Sequence, residues 1–136
     1  MDRVLVDSGY LIALGRARDS LHPNADRFLS TFRGSLFTVS AVIVESCFFM
    51  AAKAKAHLLD WIGEGSLSVV EVPPAAYPDL GATIRKYGDR EVDFADAALV
   101  WLAEESGVRA ILTVDQRDFS IFRLKGGKRF RLIDWF

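Results

Sequence analysis

Short apolar runs alternate along the chain with longer stretches in which apolar residues recur every three or four positions. "VLV" (4–6) has the unbroken apolar character of a strand buried on both faces, and a helix is predicted from about Ser8. In "HPNADRFLSTFR", Ala25, Phe28, Leu29 and Phe32 fall on one helical face. A second strand is expected over 36–39, followed by one long helix over 41–56 ("AVIVESCFFMAAKAKA") with Ser40 as its N-cap. A further helical piece, "HLLDWIGEG", stops at its glycines.

"LSVVEV" reads as a third strand ended by Pro73 and Pro74, and "AAYPDLGATIRKYG" as a helix with a weak start. "DFADAALVWLAEESG" is a strong helix closed by Gly107, and "AILTV" is a fourth strand. The tail "FSIFRLKGGKRFRLIDWF" is expected to form two β segments around a hairpin turn at Gly126–Gly127. Strands alternating with helices imply parallel pairing with helices on both faces. The expected architecture is an α/β three-layer sandwich with a mainly parallel central sheet, formed by one domain spanning residues 1–136.

Composition narrows the function classes only a little. Of 136 residues, 51% are hydrophobic and 26% charged, enough for a real core, and the net charge of -1 excludes nucleic-acid binding driven by overall charge while permitting a local basic patch. The single cysteine, Cys47, rules out an intrachain disulfide, which suits a reducing interior. No apolar run approaches the roughly 18 residues of a membrane span, and no basic leader precedes the first apolar stretch. The expectation is a soluble cytoplasmic protein.

Against this pattern a few carboxylates are out of place. Asp7 interrupts "VLVDSGYLIAL" at the joint of strand and helix, and an unpaired carboxylate removed from water is costly. Glu45 is the only charged residue between Arg33 and Lys53, on a helix that otherwise looks buried. It is either a rim residue hydrogen-bonded to a neighbour or a ligand. Asp93 is placed to cap its helix, with Asp96 three residues on in the capping-box position and surrounded by alanines. Asp115 ends the fourth strand after Thr113, and Asp118 follows it.

Ligand crevices of open α/β sheets lie beyond the carboxyl ends of the strands. Asp7, Glu45, Asp96 and Asp115 can therefore converge there, and convergent carboxylates call for a hard divalent cation, Mg²⁺ or Mn²⁺. His22 and His57 lie far from these motifs and lack zinc-ligand spacing. Phe48, Phe49, Trp61 and Trp101 read mostly as core by helical spacing. A basic run, Arg117, Arg123, Lys125, Lys128, Arg129 and Arg131, faces only Asp118 in acid, and serves either to bind a polyanion or to protect a sheet edge.

The segments "VLVDSGYLIAL", "TVSAVIVESCFF", "DFADAALVWLAEESGVRAILTVDQRDFSIFR" and "GGKRFRLI", in that order, resemble the PIN-domain ribonucleases, and within them the VapC-type toxins of toxin–antitoxin pairs. The resemblance implies a PIN fold and an Mg²⁺- or Mn²⁺-dependent endoribonuclease, with Asp7, Glu45 and Asp96 as the metal-binding acids and Asp115 as the fourth, more variable one. It also implies RNA as substrate, inhibition by a VapB-type antitoxin and a homodimer. After Asp7 the family often carries Thr and a small polar residue, whereas this chain has Ser8-Gly9. Ser8 and Thr113 are supporting candidates, and Asp93 and Asp118 are set outside the direct ligand set. The rival readings are a catalytically inactive PIN-fold binding module and a receiver-like phosphoacceptor domain. A phosphate-binding GK[ST] loop and a G-x-S-x-G nucleophile elbow are absent.

Overall fold

The structure, a computed structural model, describes residues 2–136. Among them five strands form one sheet, β1 (Arg3–Val6), β2 (Ser35–Val39), β3 (Leu67–Val70), β4 (Ala110–Leu112) and β5 (Arg131–Leu132), in the order β3-β2-β1-β4-β5. Every pairing is parallel. The helices are α1 (Ser8–Gly15), α2 (His22–Thr31), α3 (Ser40–Cys47), α4 (Ala52–Gly63), α5 (Tyr77–Lys86), α6 (Phe94–Ser106) and α7 (Gln116–Ile121). The α/β architecture expected from the alternation of patterns is the one found.

β1 is the central strand, and Val4, Leu5 and Val6 are buried on both sides as an unbroken apolar run requires. α6 lies deepest of the helices. Ala95, Ala97 and Ala98 are buried with every residue from Leu99 to Ala103, so this helix is covered nearly all round. Its alanines permit close approach, and Gly107 ends it in the left-handed conformation at φ 74°, returning its N–H to the Ala103 carbonyl. Tyr10 of α1 donates its hydroxyl to the Ala25 carbonyl at 2.8 Å and meets Trp135 edge-on, which ties α1, α2 and the C-terminal segment together.

Four local expectations are corrected. The long helix over 41–56 is two helices, broken between Cys47 and Ala52. Neither Gly nor Pro marks the break. Ser46 bonds back to the Val42 carbonyl at 2.7 Å, a contact that bends helices, and Met50 is buried in the turn beside Gly15, where an added Cβ would lie 2.9 Å from Met50 Cε. Ser40 is the first helical residue of α3 rather than its cap; Val39 occupies the cap position without a side-chain bond.

Phe48 and Phe49 are not core. They sit in the α3–α4 turn 80% and 56% exposed, while Trp101 is buried and Trp61 half-buried. In the tail, "FSI" belongs to α7. Gly126 and Gly127 do make a tight left-handed turn, closed by the single antiparallel bridge Arg123–Arg129, but the following strand pairs in parallel with β4.

Gly34 permits the entry into β2. A Cβ there would lie 2.1 Å from the Asp2 carbonyl oxygen, the same atom that accepts the Ser35 N–H at 2.8 Å. Backbone cannot yield as a flexible side-chain end can. Gly34→Ala is therefore expected to destabilise the fold by about 1–3 kcal/mol, read as a lower urea midpoint with an unchanged slope. An unchanged midpoint would show that this approach is not required.

Candidate active site

Asp7 continues the ladder one residue beyond β1, its N–H donating to the Leu112 carbonyl at 2.9 Å. Its side chain is buried where β1 gives way to α1, and it caps α1 by accepting the Ser8 N–H on Oδ1 at 2.8 Å. The other oxygen, Oδ2, accepts the Thr113 hydroxyl at 2.8 Å. Thr113 is fully buried, and its Oγ1 in turn accepts the Asp115 N–H at 2.9 Å. One threonine thus couples the two strand-end acids. Beneath them the Thr38 hydroxyl donates to the Val6 carbonyl at 2.6 Å and locks β2 to the last residue of β1.

The remaining acids arrive on helices that begin at the same edge. α3 follows β2 without a loop and carries Glu45 in its second turn, where Glu45 accepts the Ser8 hydroxyl. α6 opens with a capping box: the Asp96 N–H donates to Asp93 Oδ1 at 2.9 Å, and the Asp93 N–H reaches Asp96 Oδ2 at 3.4 Å. Asp93 is exposed and Asp96 half-buried. Asp115 caps α7, accepting the Asp118 N–H at 3.2 Å. That Asp-x-x-Asp spacing repeats the one at Asp93–Asp96 and was the available sign that α7 is a helix.

Arg90 was not singled out from sequence. It lies in the segment between α5 and α6 and pairs with Asp118 at 2.8 Å, fastening that segment to α7. No spacing rule predicts a contact across 28 positions. Gly9 is half-buried against Val114, whose Cγ2 would lie 2.3 Å from an added Cβ. The absent polar side chain after Ser8 is thus matched by an apolar one facing it.

The basic run does not gather at the acids as a group. Arg117 lies on α7, close after Asp115. Arg123 turns Nη1 onto the carbonyls of Ser120, Ile121 and Phe122, closing the end of α7. Lys125 and Lys128 flank the Gly126–Gly127 turn, where the Lys125 N–H bonds to Glu104. Arg129 and Arg131 lie at the start of β5, the sheet's opposite edge. His22 holds the Ala13 carbonyl at 2.9 Å, and His57 is exposed on α4.

The acids act on one another. Burial raises the Asp7 carboxyl from 3.8 to about 6; the Thr113 and Ser8 bonds oppose the rise, and the charges of Glu45 and Asp115 add to it. Asp96 is raised to about 8, first by burial and then by the charges of Asp93 and Asp7. Burial raises Glu45 and Asp115 as well; Ser8 opposes the first, and the Asp118 N–H and Arg90 oppose the second. Among the described residues, no group of three or more His, Cys, Asp or Glu side chains is drawn together closely enough to hold a metal ion as it stands. The donor set is nonetheless all oxygen and anionic. An ionised carboxylate offers about four lone-pair sites, and Asp7 uses two of them, so the set fits a hard divalent cation.

A parallel α/β sheet with carboxylates assembled beyond the carboxyl ends of its strands is the layout of a PIN domain. The chain belongs to the PIN domain family, whose profile matches residues 4–124. It is 28% identical over 134 residues to Ribonuclease VapC26 of Mycobacterium tuberculosis, an alignment covering 96% of this chain and 99% of that relative.

Among solved structures it superposes on VapC20 of Mycobacterium tuberculosis, described as a sarcin-ricin loop cleaving toxin, with a TM-score of 0.77 at 19% identity, covering 84% of this chain and 91% of that one. A toxin–antitoxin complex from Klebsiella pneumoniae gives a TM-score of 0.63 at 14% identity and covers 98% of both chains. These likenesses establish the fold, and the family match removes the receiver-like alternative. No helix among the described residues is long and apolar enough to cross a membrane.

The raised carboxyls carry a thermodynamic signature. With Asp7 and Asp96 raised, the folded chain holds protons that the unfolded chain releases near pH 4, so their contribution to stability is fully present in acid and is lost as pH rises through about 6 and then 8. The Asp7 share is on the order of 3 kcal/mol. In EDTA, the thermal midpoint should fall between pH 5 and pH 8, and Asp7→Asn should melt above the parent at pH 8. A midpoint that rises with pH, or a destabilised Asp7→Asn, would make Asp7 a structural ion instead.

Proposed function

We propose that this chain is a metal-dependent endoribonuclease of the VapC kind, hydrolysing RNA phosphodiester bonds and held inactive by an antitoxin protein. The observation that carries the reading is Asp7: a buried carboxylate kept in place by Ser8 and Thr113, its pKa raised by burial and by the charges of Glu45 and Asp115. The full-length similarity to Ribonuclease VapC26 supports RNA as substrate, and the likeness to a toxin–antitoxin complex supports an antitoxin partner.

Asp7 and Asp96 would be the principal metal ligands, with Glu45 and Asp115 completing the set. A divalent ion held there, Mg²⁺ or Mn²⁺, would supply charge neutralisation at the phosphoryl oxygens and a lowered pKa for water. The protein's part is positioning. Thr113 fixes the rotation of the Asp7 carboxylate, and Ser8 holds Glu45 toward it. Asp93 keeps the first turn of α6 closed so that Asp96 stays at the edge. Asp118, engaged with Arg90, stays out of the ligand set. Attack by water on phosphorus, with the P–O3′ bond breaking and the departing 3′ oxygen taking a proton, would leave 5′-phosphate and 3′-hydroxyl ends.

Purified protein should cut a pool of cellular RNA with Mg²⁺ or Mn²⁺ and not with EDTA. Asp7→Asn and Asp96→Asn should each lower the rate by at least about 100-fold, the scale of losing a group that stabilises transition-state charge. Folded, metal-binding protein that cuts nothing would favour the inactive binding module.

A second copy of this chain is the proposed cover for Val44, Phe48 and Phe49, which are 60%, 80% and 56% exposed around the end of α3. Sedimentation should give a dimer for the parent and a monomer for Phe48→Asp/Phe49→Asp. A monomeric parent would overturn the dimer while leaving the nuclease reading intact.

A further inference from the structure

Three arginines meet at the edge of the sheet opposite the acids. Arg3 opens β1, Arg109 precedes β4 and Arg131 opens β5, and these strands are neighbours in the sheet. The three residues line one open cleft of about 330 Å³, with Asp2, Val108 and Ala110 forming the rest of its wall. Asp2 is the only acid there. All three arginines are exposed, and the one ion pair among the described residues is elsewhere, between Arg90 and Asp118.

The cleft is built from fixed parts. The Arg131 N–H donates to the Arg109 carbonyl at 2.8 Å, which sets the spacing of those two residues. The Arg3 guanidinium stands over the Phe37 ring, 4.5 Å from its centroid, and is thereby restrained. Protection of a sheet edge accounts for Arg131 on the outer strand β5 but not for Arg3 or Arg109, because β1 and β4 are interior strands. Concentrating unpaired cations in one place on a chain of net charge -1 opposes their mutual repulsion, and a polyanion relieves it.

We propose that this cleft binds backbone phosphates of RNA, as a second contact remote from the hydrolytic edge. The proposal rests on the ribonuclease reading. Arg3 lies four residues before Asp7 on an extended strand, roughly 13 Å away, so the cleft is separate from the acids. The segment from Arg117 to Arg131 joins the two edges. It leaves the acids on α7 and carries Arg123, Lys125, Lys128 and Arg129 toward the cleft, with Asp118 its only acid. That continuity favours RNA over an acidic peptide, and guanidinium forks match phosphate oxygens in pairs.

The test is binding of a fluorescein-labelled twelve-residue oligouridylate in EDTA, which prevents cutting, over a range of salt. The triple variant Arg3→Gln/Arg109→Gln/Arg131→Gln should bind about 10-fold or more weakly near 0.1 M salt, with its log–log salt slope shallower by about 2. Arg3→Lys/Arg109→Lys/Arg131→Lys should restore most of that slope, which separates charge from misfolding. Lys53→Gln/Lys55→Gln/Lys86→Gln, an equal charge change on α4 and α5, should have a smaller effect.

Equal affinity and slope for the parent and the arginine-to-glutamine variant would overturn the proposal. So would absence of binding by the parent, or displacement by polyglutamate but not by unlabelled oligouridylate. Cleavage by the parent with Mg²⁺ or Mn²⁺ is measured in parallel. Intact cleavage with equal binding sinks the cleft alone, whereas lost binding in the variant with no cleavage by the parent keeps the cleft and sinks the hydrolase.

Discussion

The carboxylate of Asp7 is the only acidic or basic side chain of the Asp, Glu, Lys, Arg and His types buried in the core among the described residues, and much of the local structure is arranged around it. An uncompensated charge there would cost several kcal/mol, so both oxygens are engaged, one by the first N–H of α1 and the other by Thr113. These bonds do not bring the carboxyl back to its ordinary pKa, because Glu45 and Asp115 add repulsion to the cost of burial. The fold therefore holds a site that is electrostatically incomplete. Proteins keep such strain where a ligand relieves it.

The sheet makes the incompleteness possible. In a fully parallel sheet every strand ends at the same edge, so residues distant in sequence arrive together without long loops. α3 begins on the residue after β2, and α6 begins on a capping box, so both helices start rigidly at that edge. The second turn of α3 and the first turn of α6 place Glu45 and Asp96 beside strand ends instead of along an exposed flank. Rigid elements hold such acids more closely than loops do. The polar supports, Ser8, Thr38 and Thr113, are buried hydroxyls that each donate to one named oxygen.

The acids and the order of elements were legible in the sequence because both write a contrast: a charge within an apolar run, or one apolar period giving way to another. Asp7, Glu45 and Asp96 stand out in this way, and the capping box at Asp93 can be read from spacing alone. Where no contrast exists, sequence was mute. The break between α3 and α4 has neither Gly nor Pro, and Phe48 and Phe49 continue a helical pattern into a turn that exposes them. The pairing of Arg90 with Asp118 depends on tertiary position that local periodicity does not encode. The short α7 was hidden because Phe119, Ile121 and Phe122 suit a strand as well as a helix, and only its Asp115 cap distinguishes them.

A consequence concerns the division of labour between charges. If the proposed function holds, the acids repel RNA while no cation is bound, and the net charge of -1 leaves little general attraction to overcome that repulsion. Attraction has to be local, and it has to lie far enough from the acids not to neutralise them. At an ionic strength of 0.15 M exposed charges are screened beyond about 8 Å, so cations at the opposite sheet edge scarcely lower the carboxyl pKa values. Arg117 and Arg90 stand near the acids, but Arg90 is already occupied by Asp118. The remaining cations could hold a polyanion without competing with the proposed metal for Asp7 and Asp96. Separation along the strands thus lets one sheet carry an acidic edge and a basic edge at the same time, as the proposed metal and phosphate contacts require.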